Sequence, residues 1–88
     1  MVLTDKQKDI ITTLNLGYER GYLLDLDELL ELLPYKTTKQ SMQFSLRALV
    51  KKKLVEKGEC RARDGLGYRR RTLALTAFGR ARAKLLLM

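Results

Sequence analysis

The sequence predicts one α+β domain over residues 1–88, mainly α-helical, in which three helices precede a β-hairpin and a last helix follows it. Apolar residues recur at helical spacing in four stretches, and a glycine-rich segment, residues 64–67, separates two strand-like stretches. The length, 88 residues, suits one domain near the lower limit for a single hydrophobic core.

A capping pattern marks the first helix. Thr4 and Gln7 have the spacing of a capping box, in which the two residues satisfy free N–H groups at the helix start. We predict this helix over about residues 5–16, with Gly17 at its exit and a brief strand near residues 22–24. The apolar residues that indicate the helix are Ile10, Ile11, Leu14 and Tyr18.

The second helix shows the same capping pattern, at Asp25 and Glu28. We predict it over about residues 26–33, because Pro34 ends it. Its apolar face consists of Leu26, Leu29, Leu30 and Leu33. Asp27 and Glu31 are interpreted, with Glu28, as acids that favour a helix N-terminus rather than as an acid–base pair, since the chain has no histidine or metal-ligand cluster.

A turn of about four residues leads to the third helix, which we predict over about residues 38–52. Thr37 or Thr38 can cap its start. The predicted buried stripe is Met42, Leu46, Leu49 and Val50. Two helices joined in this way form a helix-turn-helix, the motif whose second helix enters the major groove of DNA.

The hairpin that follows, residues 54–76, is called the wing below. We predict its strands over about residues 54–63 and 68–76, with Arg71, Leu73 and Leu75 on one face. Thr76 can cap a last helix over about residues 77–87, which carries Phe78, Ala81 and Leu85 at helical spacing.

The lone cysteine and the first residues of the chain indicate the cellular compartment in which the protein is expected. Cys60 is the lone cysteine, so no internal disulfide can form, and we expect a small, buried strand residue, with a bridge to a second molecule as the alternative. The start of the chain lacks a secretion signal, and no window is apolar enough to span a membrane. We therefore expect a cytoplasmic protein, associated with the nucleoid if it is prokaryotic.

Charge is segregated along the chain. Residues 1–35 hold three basic and seven acidic residues, a net charge of −4. Residues 36–88 hold 15 basic and three acidic residues, a net charge of +12. A solvated surface does not need this separation, whereas a surface that binds a polyanion does.

The chain resembles the winged helix-turn-helix superfamily, and most closely a minimal version of the MarR-type regulators. The resemblance rests on Leu49, the Leu54-Val55 pair that opens the wing, and the Leu75-Thr76 pair that closes it, followed by Gly79. MarR-type proteins usually have a glycine where this chain has Lys53, a departure that we expect to alter the helix exit without changing the topology. Their long terminal helices are missing here, so the resemblance does not imply a small-molecule ligand or any cofactor.

The resemblance implies that the third helix lies in the major groove. The side chains expected to contact phosphates are Thr37, Thr38 and Ser41, and those expected to contact base edges are Gln40, Gln43 and Arg47. Lys39 can contact either. Phe44 can contact a thymine methyl group, or pack against the second helix or a partner.

Arginines dominate the wing, and a basic hairpin can lie along the DNA backbone or enter an A·T-rich minor groove. The wing residues expected to contact DNA are Arg61, Arg63, Tyr68, Arg69, Arg70 and Arg71. Charged edge strands can also serve only to prevent aggregation, but these charges are nearly all of one sign.

The function expected is that of a transcriptional regulator, a repressor that acts as a homodimer on a pseudo-palindromic operator, because one small reader has little base-contact surface. The candidates for the dimer interface are the first helix and the last helix, the latter through Phe78, Leu85, Leu86, Leu87 and Met88. Alternatively, the last helix packs on the first helix of the same chain.

Other classes fit the sequence less well. A winged-helix protein-interaction module does not need segregated charge, although it and a non-specific architectural DNA-binding protein stay open as alternatives. RNA binding lacks an aromatic stacking platform beyond Tyr68. Without histidine or a phosphate-binding loop, we expect no enzyme, and likewise no metal site.

Overall fold

A computed structural model describes residues 2–62 and 69–87. The elements, in chain order, are α1 (Asp5–Glu19), β1 (Leu24–Asp25), α2 (Leu26–Leu32), α3 (Lys39–Lys51), β2 (Val55–Ala62), β3 (Arg69–Leu75) and α4 (Ala77–Leu87). The strands form one antiparallel sheet in the order β1-β3-β2. The α+β, mainly α-helical architecture is confirmed. None of these helices is long and apolar enough to cross a membrane.

The helix starts follow the sequence closely. Thr4 with Gln7 and Asp25 with Glu28 each form a complete capping box. Thr38, rather than Thr37, caps α3, and its hydroxyl accepts a hydrogen bond from the Ser41 N–H at 3.1 Å. Short polar side chains at these positions satisfy backbone N–H groups that a helix leaves free.

Both α1 and α3 end in a Schellman motif. In α3 the Lys53 N–H donates a hydrogen bond to the Val50 carbonyl oxygen at 2.9 Å, and the Leu54 N–H donates to the Leu49 carbonyl oxygen at 3.0 Å. Lys53 adopts the left-handed conformation that the motif requires, with φ of 63°. The expectation that lysine at this position alters the helix exit was wrong, because Lys53 accepts the backbone strain and keeps the motif.

The predicted exit of α1 at Gly17 was also wrong. The helix continues to Glu19, and Gly21, with φ of 72°, supplies the left-handed residue of the exit. Gly17 is a glycine for another reason: a β-carbon there would lie 2.7 Å from the Tyr22 carbonyl oxygen. The Tyr22 N–H donates a hydrogen bond to the Gly17 carbonyl oxygen at 2.9 Å, so the chain turns back and passes close to Gly17.

The core is formed where the four helices and the base of the sheet meet. Its residues are Leu3, Ile10, Ile11, Leu14, Leu24, Leu29, Leu33, Met42, Leu46, Leu49, Leu54, Val55, Leu75 and Ala83. Val50 was predicted in the buried stripe of α3 but is 43% exposed. At about 100° per residue it lies to one side of the Met42–Leu46–Leu49 stripe, facing the wing.

Replacing Lys53 with glycine should stabilise the protein. The left-handed conformation costs an L-residue about 1–2 kcal/mol, and the greater freedom of glycine in the unfolded chain offsets part of the gain. We expect the free energy of unfolding to rise by about 0.5–1 kcal/mol in urea titrations. Lys53→Ala, which removes the charge but keeps the β-carbon, is the control. An equal gain in Lys53→Ala would assign the effect to lysine repulsion instead of backbone strain.

Candidate nucleic-acid interface

The outer ridge of α3 is polar and exposed. Gln40, Phe44, Arg47 and Lys51 follow one another at helical spacing on the side opposite the buried stripe, and all four are exposed. Gln43 and Ser41 flank the ridge and are exposed too. The helix has no acidic residue. This surface presents hydrogen-bond donors, acceptors and positive charge without a competing carboxylate of its own.

Tyr35 fixes the turn before α3. Its hydroxyl donates to the Lys6 carbonyl oxygen at 3.4 Å, and the Lys6 ammonium lies 5.8 Å from the ring centroid. Burial raises the pKa of the Tyr35 phenol, and the carboxylate of Asp9 raises it further. The phenol therefore stays protonated, and able to donate, through neutral pH.

Lys39, at the start of α3, forms an ion pair with α2. Its ammonium lies 3.2 Å from a carboxylate oxygen of Asp27, and the two side chains are 47% and 27% exposed. The pair links the two helices of the motif across their turn. The ion pair also holds the Lys39 ammonium beside the N-terminal end of α3, the end of a helix to which anions bind.

A groove of about 510 Å³ separates α3 from the wing. Its lining consists of an apolar floor (Leu26, Leu46, Val50 and Leu73) and a polar rim (Gln43, Arg47, Lys57 and Arg71). Lys57 was not among the predicted contact residues. Strand alternation places Lys57 on the groove side of β2, because residues two apart share a face of the sheet. Val55 on that face is buried, and Lys57 lies two residues further along, opposite Leu73. The rim therefore joins cations from three elements around one opening.

A β-bulge changes the pairing of the wing strands beyond this groove. Lys57 pairs with Leu73 and Cys60 pairs with Arg71, so that two residues of β2, Gly58 and Glu59, lie opposite Thr72. The Thr72 hydroxyl donates to the Glu59 carbonyl oxygen at 2.6 Å. A β-carbon at Gly58 would lie 2.5 Å from that hydroxyl, so a larger residue there would displace the Thr72 side chain.

The wing extends past the core, which explains the position of Cys60. The expectation of a buried cysteine was wrong: Cys60 lies on β2 but is exposed. Arg71 is exposed as well, and its guanidinium donates to the Gly58 carbonyl oxygen at 3.3 Å.

Backbone pairing places Arg61 opposite Arg70 and Ala62 opposite Arg69. The predicted contacts Arg63 and Tyr68 lie outside the described residues, and so does Met88 of the predicted dimer surface.

The last helix presents its apolar residues outward. Phe78, Leu85 and Leu87 are 53%, 62% and 61% exposed, while Leu86 packs partly against the core. The buried residues of α4 are Gly79 and Ala83, and the Arg80 guanidinium lies 4.6 Å from the ring centroid of Tyr18 on α1. Packing of α4 within the chain thus uses two small residues and Leu86, and leaves Phe78, Leu85 and Leu87 uncovered.

Four helices, two of which form a helix-turn-helix pair, and a three-stranded antiparallel sheet with an extended hairpin make up the winged helix-turn-helix fold, and the chain has this fold. AF1382 from Archaeoglobus fulgidus shares it with a TM-score of 0.77 and 15% identity, over 98% of this chain and 85% of AF1382. MepR of Staphylococcus aureus, a transcription regulator of the multidrug efflux pump MepA, has a TM-score of 0.74 and 20% identity, over 97% and 56% of the two chains.

A third similar structure is that of Bacillus subtilis PadR in complex with operator DNA. Its TM-score is 0.62 at 13% identity, over 90% of this chain and 47% of PadR. The chain thus spans about half the length of the MepR and PadR chains. No protein-family model matches the sequence, and no curated protein does. At these identities the likeness concerns the fold.

Breaking the Asp27–Lys39 pair should strengthen binding to polyanions. Asp27→Asn removes a negative charge beside α3 and frees the Lys39 ammonium, so the variant should elute from a heparin column at higher salt than the wild type. Glu19→Gln makes the same charge change at the end of α1 and should shift elution less. Equal shifts in the two variants would mean that only net charge matters.

Proposed function

We propose that the protein is a sequence-specific double-stranded DNA-binding transcriptional regulator, a repressor that acts as a homodimer on a pseudo-palindromic operator. The observation that carries the proposal is the continuous exposed surface formed by the outer ridge of α3, the cationic rim of the groove and the base of the wing. Operator DNA is bound by PadR, which shares the fold.

In this proposal α3 enters the major groove. Thr37, Thr38 and Ser41 lie at its N-terminal end, where hydroxyls and helix N–H groups favour phosphate oxygens. Gln40, Gln43 and Arg47 lie on the exposed side of the helix and are long enough to reach base edges. Lys39 reaches the backbone by exchanging its Asp27 partner for a phosphate.

The wing side of the groove and the wing itself bind the DNA backbone beside α3. Lys57 and Arg71 line the groove on the wing side, where their cationic side chains can bind phosphate oxygens while Arg47, on the helix side, reaches a base edge. The wing arginines beyond the bulge, Arg61, Arg69 and Arg70, then follow the backbone or enter the minor groove together with Arg63 and Tyr68.

Dimer formation through α4 completes the proposal. Phe78, Leu85 and Leu87 are large apolar side chains left exposed within the chain, and burial against a second copy would remove them from water. Two recognition helices related by a two-fold axis would read two half-sites about one DNA turn apart. Bound over a promoter, such a dimer blocks polymerase sterically.

Fluorescence anisotropy on two duplexes, titrated across salt, tests the proposal: one carries the DNA upstream of the protein's own gene and the other a scrambled sequence. Tighter binding to the upstream duplex by about a thousandfold or more is the expected result for an autoregulatory repressor. Equal, salt-dependent binding would favour an architectural protein, and no binding at low salt would favour a protein-interaction module.

Replacing Arg69, Arg70 and Arg71 with alanine should weaken binding to every duplex. Each arginine that no longer neutralises a phosphate should reduce the slope of log affinity against log salt by about one, because fewer counterions are released. A control variant without Lys8, Arg20 and Lys84 has the same reduction in charge outside α3 and the wing, and should keep most of the slope. Equal slopes in both variants would remove the wing from the interface.

Gln43→Ala or Arg47→Ala should act on sequence preference instead. Either change should cost about 1–3 kcal/mol on the preferred duplex and much less on the scrambled one, since base-edge contacts carry the discrimination. Competition titrations with both duplexes measure the difference. A uniform decrease in affinity for the two duplexes would show that these side chains contact only the backbone.

A further inference from the structure

Phe44 interrupts an otherwise polar ridge. It is 75% exposed, the highest exposed fraction among the large apolar side chains of the four helices in the described part of the chain. Its neighbours along the ridge are Gln40 one turn before it and Arg47 one turn after it, and both are exposed. A phenylalanine in this position gains nothing from the fold, because none of the buried residues of α3 lies on that side of the helix.

The position of Phe44 on α3 decides what can cover it. At about 100° per residue, Phe44 points almost directly away from the buried Met42–Leu46–Leu49 stripe. The side of a groove-bound helix that faces away from its own domain is the side that faces the groove floor. On the proposed function, Phe44 is therefore the side chain of α3 that goes deepest into the major groove.

The floor of the major groove offers one apolar group, the C5-methyl of thymine; the other base-edge groups are hydrogen-bond donors and acceptors. We propose that Phe44 reads this methyl group, so that each operator half-site contains a thymine whose methyl contacts the ring. The glutamine and arginine neighbours would fix the register by hydrogen bonds to the adjacent base pairs. The inference rests on the proposed function and adds the chemical group that is recognised.

A protein partner fits the ridge less well. A helix that docks on a protein presents several apolar residues at i, i+3, i+4 and i+7, whereas the ridge of α3 presents only Phe44 among Gln40, Arg47 and Lys51. The large exposed apolar residues of α4 provide such a surface elsewhere in the same chain. An isolated aromatic ring among hydrogen-bond donors and cationic side chains is complementary to the major-groove edge of DNA, where a thymine methyl group lies among hydrogen-bonding base groups.

The test replaces the methyl group and leaves the base pairing unchanged. The full chain selects a preferred duplex from a random pool, and each thymine of that duplex is then replaced in turn by deoxyuridine, which lacks only the methyl. For the wild type, one position per half-site should lower the affinity by about fourfold, the effect of one buried methyl, and both half-sites together by about fifteenfold. Phe44→Ala should bind the thymine and deoxyuridine duplexes equally well.

Two further variants separate the contact from effects on folding. Phe44→Leu keeps an apolar side chain and should retain part of the deoxyuridine penalty. Leu32→Ala removes a side chain that is 56% exposed at the end of α2, and it should keep the whole penalty. A penalty that persists in Phe44→Ala, or a duplex without any sensitive thymine, would overturn the inference while leaving sequence-specific binding intact. Failure to enrich any sequence would overturn the proposed function and this inference together.

Discussion

The structure depends on one close approach, that of Gly79 to the carbonyl of Leu54. A β-carbon at Gly79 would overlap this carbonyl group, so the start of α4 can lie against the start of the wing only if residue 79 is glycine. The Thr76 hydroxyl accepts from the Gly79 N–H at 3.0 Å and donates to the Lys53 carbonyl oxygen at 2.6 Å. The end of α3, the base of the wing and the start of α4 are thereby joined at a single point.

This junction gives physical meaning to the residues on which the family resemblance rested. Leu49 and Leu54 are the buried apolar pair of the Schellman motif, Thr76 is the cap that reaches back to Lys53, and Gly79 is the point of contact. These contacts connect the end of α3 to the base of the wing, the two elements that line the groove with the cationic rim.

Patterns that depend on local chemistry were predictable from the sequence, and those that depend on tertiary geometry were not. The two capping boxes and the Met42–Leu46–Leu49 stripe follow from spacing alone. The prediction for Gly17 was wrong because its role is a close contact with Tyr22, which is made only after the chain has turned back. At the interface, the sequence identified the exposed side chains of α3, but the Asp27–Lys39 pair and the place of Lys57 needed the packing of neighbouring elements.

The bulge at Gly58 and Glu59 decides which side chain of β2 faces Arg71 across the ladder. Regular pairing continued from Lys57 and Leu73 would bring Glu59 opposite Arg71, and a carboxylate there would form an ion pair with the guanidinium. The additional residue moves the acid out of that position and puts the uncharged Cys60 in its place. The bulge therefore leaves an uncharged residue, rather than the chain's own glutamate, as the ladder partner of an arginine on the groove rim.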